Sequence, residues 1–503
     1  MHHTVRAYIV TCIICLSAAS SAIPGAAAET TQFRVTLDAA TSQRPITGRL
    51  YVFLSQRPGE EPVQGPNWFS PEPFFAVDVK GFAPGEARVL DDTADGFPDV
   101  LSKVPAGRYR AQALLDHDFY WQHHAHGPGN LHSDVVEIDV DPQRGGTFDF
   151  ALERVIAERT FPETERVREI VIRSELLSKF HGREVLDRAA VVLPDSYGHE
   201  PNRRYPTVYI IPGFGGSHRQ ALRYSDNPPP VDESGVEFIR VMLSGNCKWG
   251  HHVYADSATN GPRGEALISE LIPHVDRTFR TVDAATARFV TGHSSGGWSA
   301  LWLQVSYPGA FGGVWSTSPD PVDFRDYQQV NLYADPPRSL YTDEHGAPRP
   351  IARRGERPVL WYETFGRMDD VLGRGGQLRS FEAVFSPLGA DGLPRKLWDR
   401  RTGRIDPEVA RAWEAYDIRL KLERNWPQLA PKLQGKLHIT TGSLDTFYLE
   451  GAVELLARTL EQLGSDAQVK VLPGEDHSSL LTPQLHAKMR RQMAAAFLRH
   501  HRP

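Results

Sequence analysis

The sequence has little cysteine, with three in 503 residues. Two of them, Cys12 and Cys15, lie in the apolar stretch at the beginning of the chain, and Cys247 is the third. If that stretch is removed during export, one cysteine remains, so an intramolecular disulfide is excluded. A mildly acidic export product without disulfides is typical of a bacterial periplasmic or extracellular protein.

After residue 28 the sequence lacks any apolar run long enough to span a bilayer. It also lacks an excess of basic residues, since 56 Lys and Arg are set against 62 Asp and Glu. No basic stripe of the kind that binds nucleic acid is visible. We therefore expect neither a nucleic-acid partner nor a membrane span in the exported protein.

Residues 1–28 have the three parts of a secretory signal. Arg6 precedes the apolar run 7–22, and small residues at 26–28 form a cleavage site. A membrane anchor is the alternative, but the run is short for a bilayer. The signal predicts a secreted or periplasmic protein.

Residues 29–159 are expected to form an N-terminal β-sandwich domain. Alternating or β-branched runs are separated by Gly- and Pro-rich turns, and no helical period appears. The predicted strands are residues 33–37, 50–54, 74–77, 109–114, 135–140 and 147–150. Covering and steadying the rest of the protein is the favoured role, and substrate binding is the alternative.

One loop of this domain contains the clustered histidines His123, His124 and His126. Three histidines could ligate a metal ion, but their spacing is not that of a regular ligand set. A solvated loop or a domain interface is the favoured interpretation, and we expect neither metal nor cofactor.

Residues 292–296 read Gly-His-Ser-Ser-Gly between a predicted buried strand, 287–291, and a predicted helix, 298–305. Gly-x-Ser-x-Gly in this context is the nucleophile elbow of α/β-hydrolases. The glycine frame selects Ser294, because Ser295 has His293 two positions before it. The elbow directs the backbone N–H of Ser295 towards a developing oxyanion.

A glycine-rich loop, residues 212–217, follows the predicted buried strand 206–211. This is the position of the second oxyanion donor, for which the N–H of Phe214 is our candidate. An ordinary Gly-rich loop is the alternative.

Asp445 and His477 each follow a predicted strand, 436–441 and 468–472 respectively. Parallel strands would bring both side chains to the edge that carries Ser294. The chain order Ser, Asp, His is the one that this fold requires. These three residues are the candidate catalytic triad, and Asp476 is the main rival to Asp445.

Residues from about 320 to 429 interrupt the alternation of strands and helices as a long insertion rich in aromatics. Because so many Trp and Tyr side chains must be buried, we expect the insertion to form a wall or lid of the active site. Candidate pocket residues are Trp249, Trp298, Trp361, Tyr362 and Phe365.

Residues from about 160 to the end resemble the esterase family of α/β-hydrolases that includes esterase D, feruloyl and acetylxylan esterases, enterochelin esterases and mycolyltransferases. The resemblance is carried by the 212–216 loop, residues 270–275, the 292–297 elbow, residues 307–311 and the Asp and His loops. It implies a serine carboxylic-ester hydrolase without a metal, and it predicts an α/β-hydrolase catalytic domain over residues 160–503. The insertion is longer than in the family, and the loop begins Pro-Gly instead of His-Gly.

The resemblance points to small-molecule or carbohydrate-linked ester substrates, or to aromatic acyl esters. Three other functions use related folds: an acyltransferase with the same triad, a peptidase of the prolyl-oligopeptidase type, and a non-enzymatic surface-binding protein. The peptidase would usually carry a propeller, and the binding protein would have lost the triad.

Overall fold

The computed structural model describes Met1 and residues 30–501. The predicted secretory signal lies outside the described residues. We refer to residues 30–159 as the N-terminal region and to residues 160–501 as the C-terminal region. The predicted domain boundary falls between a strand that ends at Val155 and one that begins at Val167.

The N-terminal region is rich in β-structure, as predicted. Four of its strands are only two to four residues long and were not predicted from the sequence. The strands are β1 (Thr31–Leu37), β2 (Ile46–Ser55), β3 (Phe74–Phe82), β4 (Ala87–Leu90), β5 (Asp95–Phe97), β6 (Gly107–Asp116), β7 (Leu131–His132), β8 (Val136–Val140), β9 (Gly146–Leu152) and β10 (Arg154–Val155).

These strands form two sheets, one in the order β4-β1-β9 and one in the order β10-β7-β6-β2-β3-β5, with β8 paired to β6. Successive side chains of β2 point to opposite faces of the sheet. From Arg49 to Ser55 the side chains on both faces are buried. Val52 and Leu54 pack in the core between the two sheets. Tyr51 and Phe53 pack on the opposite face, in a core shared with the C-terminal region. The two sheets are consistent with the predicted sandwich, which stays a prediction.

The C-terminal region is built on an eight-stranded sheet in the order β11-β12-β14-β13-β19-β20-β23-β24. The first two strands pair antiparallel, and the strands from β14 to β24 are parallel. The sheet strands are β11 (Val167–Arg173), β12 (Leu186–Val192), β13 (Thr207–Ile211), β14 (Ile239–Leu243), β19 (Arg288–His293), β20 (Gly313–Thr317), β23 (Leu437–Gly442) and β24 (Gln468–Leu472).

The C-terminal region also contains ten α-helices and three short two-stranded sheets among the described residues. The helices are α1 (Glu175–His181), α2 (Arg263–Ala266), α3 (Ile272–Thr278), α4 (Ser295–Ser306), α5 (Tyr362–Leu372), α6 (Gln377–Phe385), α7 (Pro407–Trp413), α8 (Ile418–Leu433), α9 (Glu450–Gln462) and α10 (Pro483–Leu498). The short strands are β15 (Asn246–Cys247), β16 (Gly250–His251), β17 (Asp256–Ser257), β18 (Gly261–Pro262), β21 (Pro350–Arg354) and β22 (Arg357–Trp361). Among the described residues no helix is both long and apolar enough to cross a membrane.

The connection between β11 and β12 contains helix α1, because the Ser174 hydroxyl accepts a hydrogen bond from the N–H of Leu177 and caps the helix. Helix α5 begins within the aromatic run 361–365. Buried Tyr362, Phe365 and Met368 recur at the spacing of one helical face.

The N-terminal region docks on the end of α5 and on the loop that follows it. Tyr51 donates its hydroxyl hydrogen to the carbonyl of Leu372 at 2.7 Å. Arg374, in the loop, forms a 2.8 Å ion pair with Asp116 of β6. The insertion is thus held between the N-terminal region and the large sheet.

Candidate active site

Ser294 occupies a strained turn between β19 and α4. Its backbone has φ 58° and ψ −127°, a conformation that side-chain-bearing residues adopt at a cost. A Cβ on Gly292 would lie 2.1 Å from the carbonyl oxygen of Gly296, and a Cβ on Gly296 would lie 2.0 Å from that of Ile211. Neither glycine can therefore be replaced, which is the steric reason for the Gly-x-Ser-x-Gly pattern.

His477 and Asp445 form a buried pair at the same edge of the sheet. Nδ1 of His477 lies 2.8 Å from Oδ2 of Asp445, and the other carboxylate oxygen accepts a 2.9 Å hydrogen bond from the N–H of Phe447. Asp445 is fully buried and His477 is 7% exposed. The carboxylate holds the ring through Nδ1, which leaves Nε2 as the nitrogen free to exchange a proton.

Asp476, the rival acid, has a different role in the structure. Its carboxylate accepts hydrogen bonds from the backbone N–H groups of Ser478 and Ser479, both at 2.8 Å. These bonds hold the pKa of Asp476 below its usual value. The side chain caps the turn after His477 and does not take part in the pair.

A second imidazole, that of His293, lies 4.5 Å from the His477 ring. Burial, with a further contribution from His477, lowers the pKa of His293 to about 3. His293 is therefore neutral at physiological pH and does not add a second positive charge beside His477.

The loop after β13 passes directly beside Ser294. A Cβ on Gly213 would lie 3.3 Å from Cβ of Ser294 and 3.9 Å from its Oγ, so Phe214 follows a residue in contact with the candidate nucleophile. Ser295, as the first residue of α4, has an N–H without an intrahelical acceptor. Both candidate oxyanion donors thus belong to segments that meet at Ser294.

His251 braces this loop. Its Nε2 lies 3.1 Å from the carbonyl oxygen of Pro212, and its Nδ1 accepts a hydrogen bond from the N–H of Val253 at 3.0 Å. Burial lowers the pKa of His251 to about 4, so the neutral ring can donate through one nitrogen and accept through the other. This histidine is a structural part of the site.

Asp320 is a residue of the site that the sequence did not identify as one. It follows β20, and its N–H donates a 3.3 Å hydrogen bond to the carbonyl of Ser294. Burial raises the pKa of its carboxyl group to about 6, against opposing effects of the Ser295 side chain and of His477. Asp320 lies just after a strand, at the same sheet edge as Ser294, and that position in the sequence could have predicted it as a site residue.

The insertion contacts the acid loop through β21. Arg353 donates from Nε to the carbonyl of Asp445 at 2.9 Å and forms a 2.6 Å ion pair with Glu450. Burial raises the pKa of Glu450 to about 7. The insertion therefore lies on the side of the sheet that carries the site and helps to position Asp445.

A small cavity of about 20 Å³ lies between the insertion and the catalytic edge. Its polar side chains are Asp320, Gln328 and Gln377, and apolar residues form most of the remaining wall. Among those apolar residues are Trp68, Ile351, Leu360, Phe365, Leu378, Phe381 and Phe447.

Of the predicted pocket residues in the insertion, Phe365 lines this cavity. Tyr362 is fully buried one layer behind it, where its hydroxyl contacts the Gln328 side chain. Trp361 is 41% exposed and does not line this cavity, so its role as a pocket residue stays a prediction. Trp361 ends β22, where alternation buries Leu360 and directs the next side chain outward.

Trp249 and Trp298 also lie outside the cavity. The Trp298 indole is buried beneath the insertion, with ring centroids 5.2 Å from both Trp302 and Phe385. Trp249 is partly exposed, and the Lys248 ammonium lies 5.6 Å from its ring. Trp298 is directed away from the cavity because its helical position faces the insertion's own core.

The histidine loop is packed in the N-terminal region. His124 is buried, stacks on Phe53, and has its Nε2 2.8 Å from the carbonyl oxygen of Val63. Burial lowers the pKa of His124 to about 4. His123 and His126 line a separate cavity of about 690 Å³ between the two regions. Within residues 30–501 no group of three or more His, Cys, Asp or Glu side chains is arranged to hold a metal ion.

Residues 187–480, more than half of the chain, match the family model described as "Putative esterase". The chain belongs to this esterase family, which is of the α/β-hydrolase type, and its membership supports ester hydrolysis. Two relatives from Mycobacterium tuberculosis, Esterase MT1326 of strain CDC 1551 and Esterase Rv1288 of strain H37Rv, are each 30% identical to it over 147 residues. The match spans 29% of this chain and 32% of each relative.

Solved structures are similar to the chain at lower identity. A ferulic acid esterase is 12% identical with a TM-score of 0.41, covering 66% of this chain and 98% of its own. An S-formylglutathione hydrolase from Agrobacterium tumefaciens is 15% identical with a TM-score of 0.41, covering 66% of this chain and 95% of its own. Neither likeness identifies a substrate.

Proposed function

We propose that this protein is an exported serine carboxylic-ester hydrolase that acts through an acyl-enzyme. Ser294 is the nucleophile, His477 the general base, and Asp445 the carboxylate that orients it. The observation that carries this proposal is the buried 2.8 Å contact between His477 and Asp445. That pair lies at the sheet edge where Ser294 is held in its strained turn.

In the first half of the reaction, His477 accepts the Ser294 proton at Nε2 while the hydroxyl oxygen attacks the ester carbonyl. Asp445 accepts the hydrogen bond from Nδ1, which selects the reactive tautomer and stabilises the imidazolium. The N–H groups of Phe214 and Ser295 receive the oxyanion, with an effect of about 3 kcal/mol per donor.

The tetrahedral intermediate collapses when His477 gives the proton to the leaving alcohol. Water then enters, loses a proton to His477 and attacks the acyl-enzyme. Collapse of this second intermediate releases the carboxylic acid, returns the proton to Ser294 and regenerates the enzyme.

The predicted secretory signal supports an extracellular or periplasmic location, where the enzyme would meet carbohydrate-linked or small-molecule esters. The substrate class is taken from the resemblance to esterases of that kind. An acyltransferase would use the same residues but would need an alcohol acceptor in place of water.

The test is a pair of neighbouring substitutions. Ser294→Ala should lose essentially all hydrolysis of p-nitrophenyl acetate while its circular dichroism spectrum stays unchanged. Ser295→Ala should retain most activity, because that residue contributes its backbone. An active Ser294→Ala variant beside an inactive Ser295→Ala variant would refute the assignment, and acid release that depends on an added alcohol would indicate acyl transfer.

A further inference from the structure

Trp68 of the N-terminal region reaches the candidate active site. It lies in the loop between β2 and β3, and its ring is close to three aromatic rings of the C-terminal region. The centroid distances are 5.6 Å to Phe214, 5.0 Å to Phe365 and 6.4 Å to Phe447.

These three rings come from three separate parts of the site. Phe214 belongs to the candidate oxyanion loop, Phe365 to the insertion, and Phe447 to the loop of Asp445, where its ring lies 4.9 Å from that of His477. In the sheet, β13 and β23 flank β19 and β20 on opposite sides. A side chain that touches both Phe214 and Phe447 therefore spans the edge that carries Ser294.

The loop that carries Trp68 is held in place by its own region. The Asn67 side chain accepts hydrogen bonds from the N–H groups of Phe69 and Ser70 at 3.0 and 3.1 Å, which forms an Asx turn. Upstream, the Val63 carbonyl contacts buried His124. Phe69, the next residue, is 45% exposed, so Trp68 is the aromatic of this pair that the fold directs inward.

The cavity below Trp68 is narrow. Its volume of about 20 Å³ is enough for about one water-sized group. Trp68, Phe365 and Phe447 line it together with Asp320, whose N–H donates a hydrogen bond to the carbonyl of Ser294. A methyl group fits such a space, whereas a chain longer by two methylenes or an aromatic ring requires Trp68 to move.

We propose that Trp68 is a specificity-determining residue that closes the acyl pocket and restricts the enzyme to acetyl-sized acyl groups. The inference rests on the proposed function. The acyl group stays attached to Ser294 after the alcohol has left, so a small space bounded by Asp320, whose N–H bonds to the Ser294 carbonyl, suits the acyl side of the ester. The alcohol side must keep a path to solvent. Acetyl esters are therefore favoured over aromatic acyl esters.

The test compares p-nitrophenyl acetate and p-nitrophenyl butyrate. The natural protein should have the higher kcat/KM for acetate. Trp68→Ala should raise the ratio of butyrate to acetate kcat/KM by at least about tenfold, because a methylene that finds room in a pocket is worth about 10- to 200-fold. Trp68→Phe should give a smaller rise, and Phe69→Ala, the matched control, should leave the ratio unchanged.

Each other outcome has a distinct meaning. If acetate is hydrolysed but Trp68→Ala keeps the natural ratio, the proposed pocket wall is wrong and the esterase function stands. If the substitution alters the preference among alcohols of acetate esters but not among acyl groups, the acyl assignment is wrong. If the natural protein hydrolyses no ester, both proposals fail. If Trp68→Ala does not fold, an unchanged ratio in folded Trp68→Phe overturns the inference.

Discussion

The backbone nitrogen of Asp320 lies 3.3 Å from the carbonyl oxygen of Ser294. This contact attaches the residue after β20 to the strained turn of the candidate nucleophile. Asp320 is buried, and burial raises the pKa of its carboxyl group while His477 lowers it. Two consequences can be measured with one substitution.

The first is a change in pH dependence of activity. Because the pKa of Asp320 is about 6, its carboxyl group is neutral at pH 5 and ionised at pH 8, where it favours the His477 imidazolium. Asp320→Asn should lower kcat at pH 8 by up to about tenfold, the equivalent of one pKa unit, and change it little at pH 5. A reduction of equal size at both pH values would show that the charge of Asp320 is not responsible.

The same variant should change the pH dependence of stability. The Asp320 pKa is raised from 3.8 to about 6 on folding, so between these values the folded protein keeps a proton that the unfolded chain releases. Stability should therefore fall as the pH rises from about 4 to 6. Asp320→Asn should remove this contribution, which thermal unfolding of both proteins across that pH range would measure.

Another prediction distinguishes the two candidate acids. Asp445→Asn should reduce kcat by a factor on the order of 10²–10⁴, because an amide beside Nδ1 selects the wrong tautomer and cannot balance the imidazolium. Asp476→Asn should have a mild effect, since that carboxylate caps a turn. Steady-state kinetics on a small acetate ester would compare them, and equal losses would contradict the assignment.

The last prediction concerns the contact between the N-terminal region and the insertion. Arg49 is buried and donates two hydrogen bonds to the Val371 carbonyl, at 3.2 Å from Nε and 2.8 Å from Nη2. Arg49→Ala would leave that carbonyl without these donors, at a cost of about 1–3 kcal/mol. The loop after α5 should then open more often, and trypsin should cleave after Arg374 faster than in the natural protein.

Arg34→Ala provides the control for this experiment. Arg34 forms an ion pair with Asp149, and both side chains are at least half exposed. Surface pairs of this kind contribute little to stability, so cleavage after Arg374 should keep its natural rate. Equal acceleration by both substitutions would indicate general destabilisation instead of a local release.

Much of the catalytic edge was predictable because it follows from local sterics and from strand direction. Gly292 and Gly296 mark the elbow because no side chain fits at either position. Asp445 and His477 follow strands that are parallel to β19, so the sheet brings their side chains to one edge. The orientation of aromatic residues in the insertion was less predictable: Trp361 was expected in the pocket and is exposed, because the hairpin alternation and the beginning of α5 decide which way each ring points.

Short-range patterns were enough to predict the Ser294 turn, the order of strands that leads to Asp445 and His477, and the esterase family. Contacts between distant segments, in contrast, bring Trp68 to Phe214, Phe365 and Phe447 and bury Asp320 beside Ser294. Trp68 and Phe447 are separated by most of the chain, and no local pattern records which distant surfaces will pack together. A pKa raised by burial likewise depends on neighbours that only the folded chain supplies.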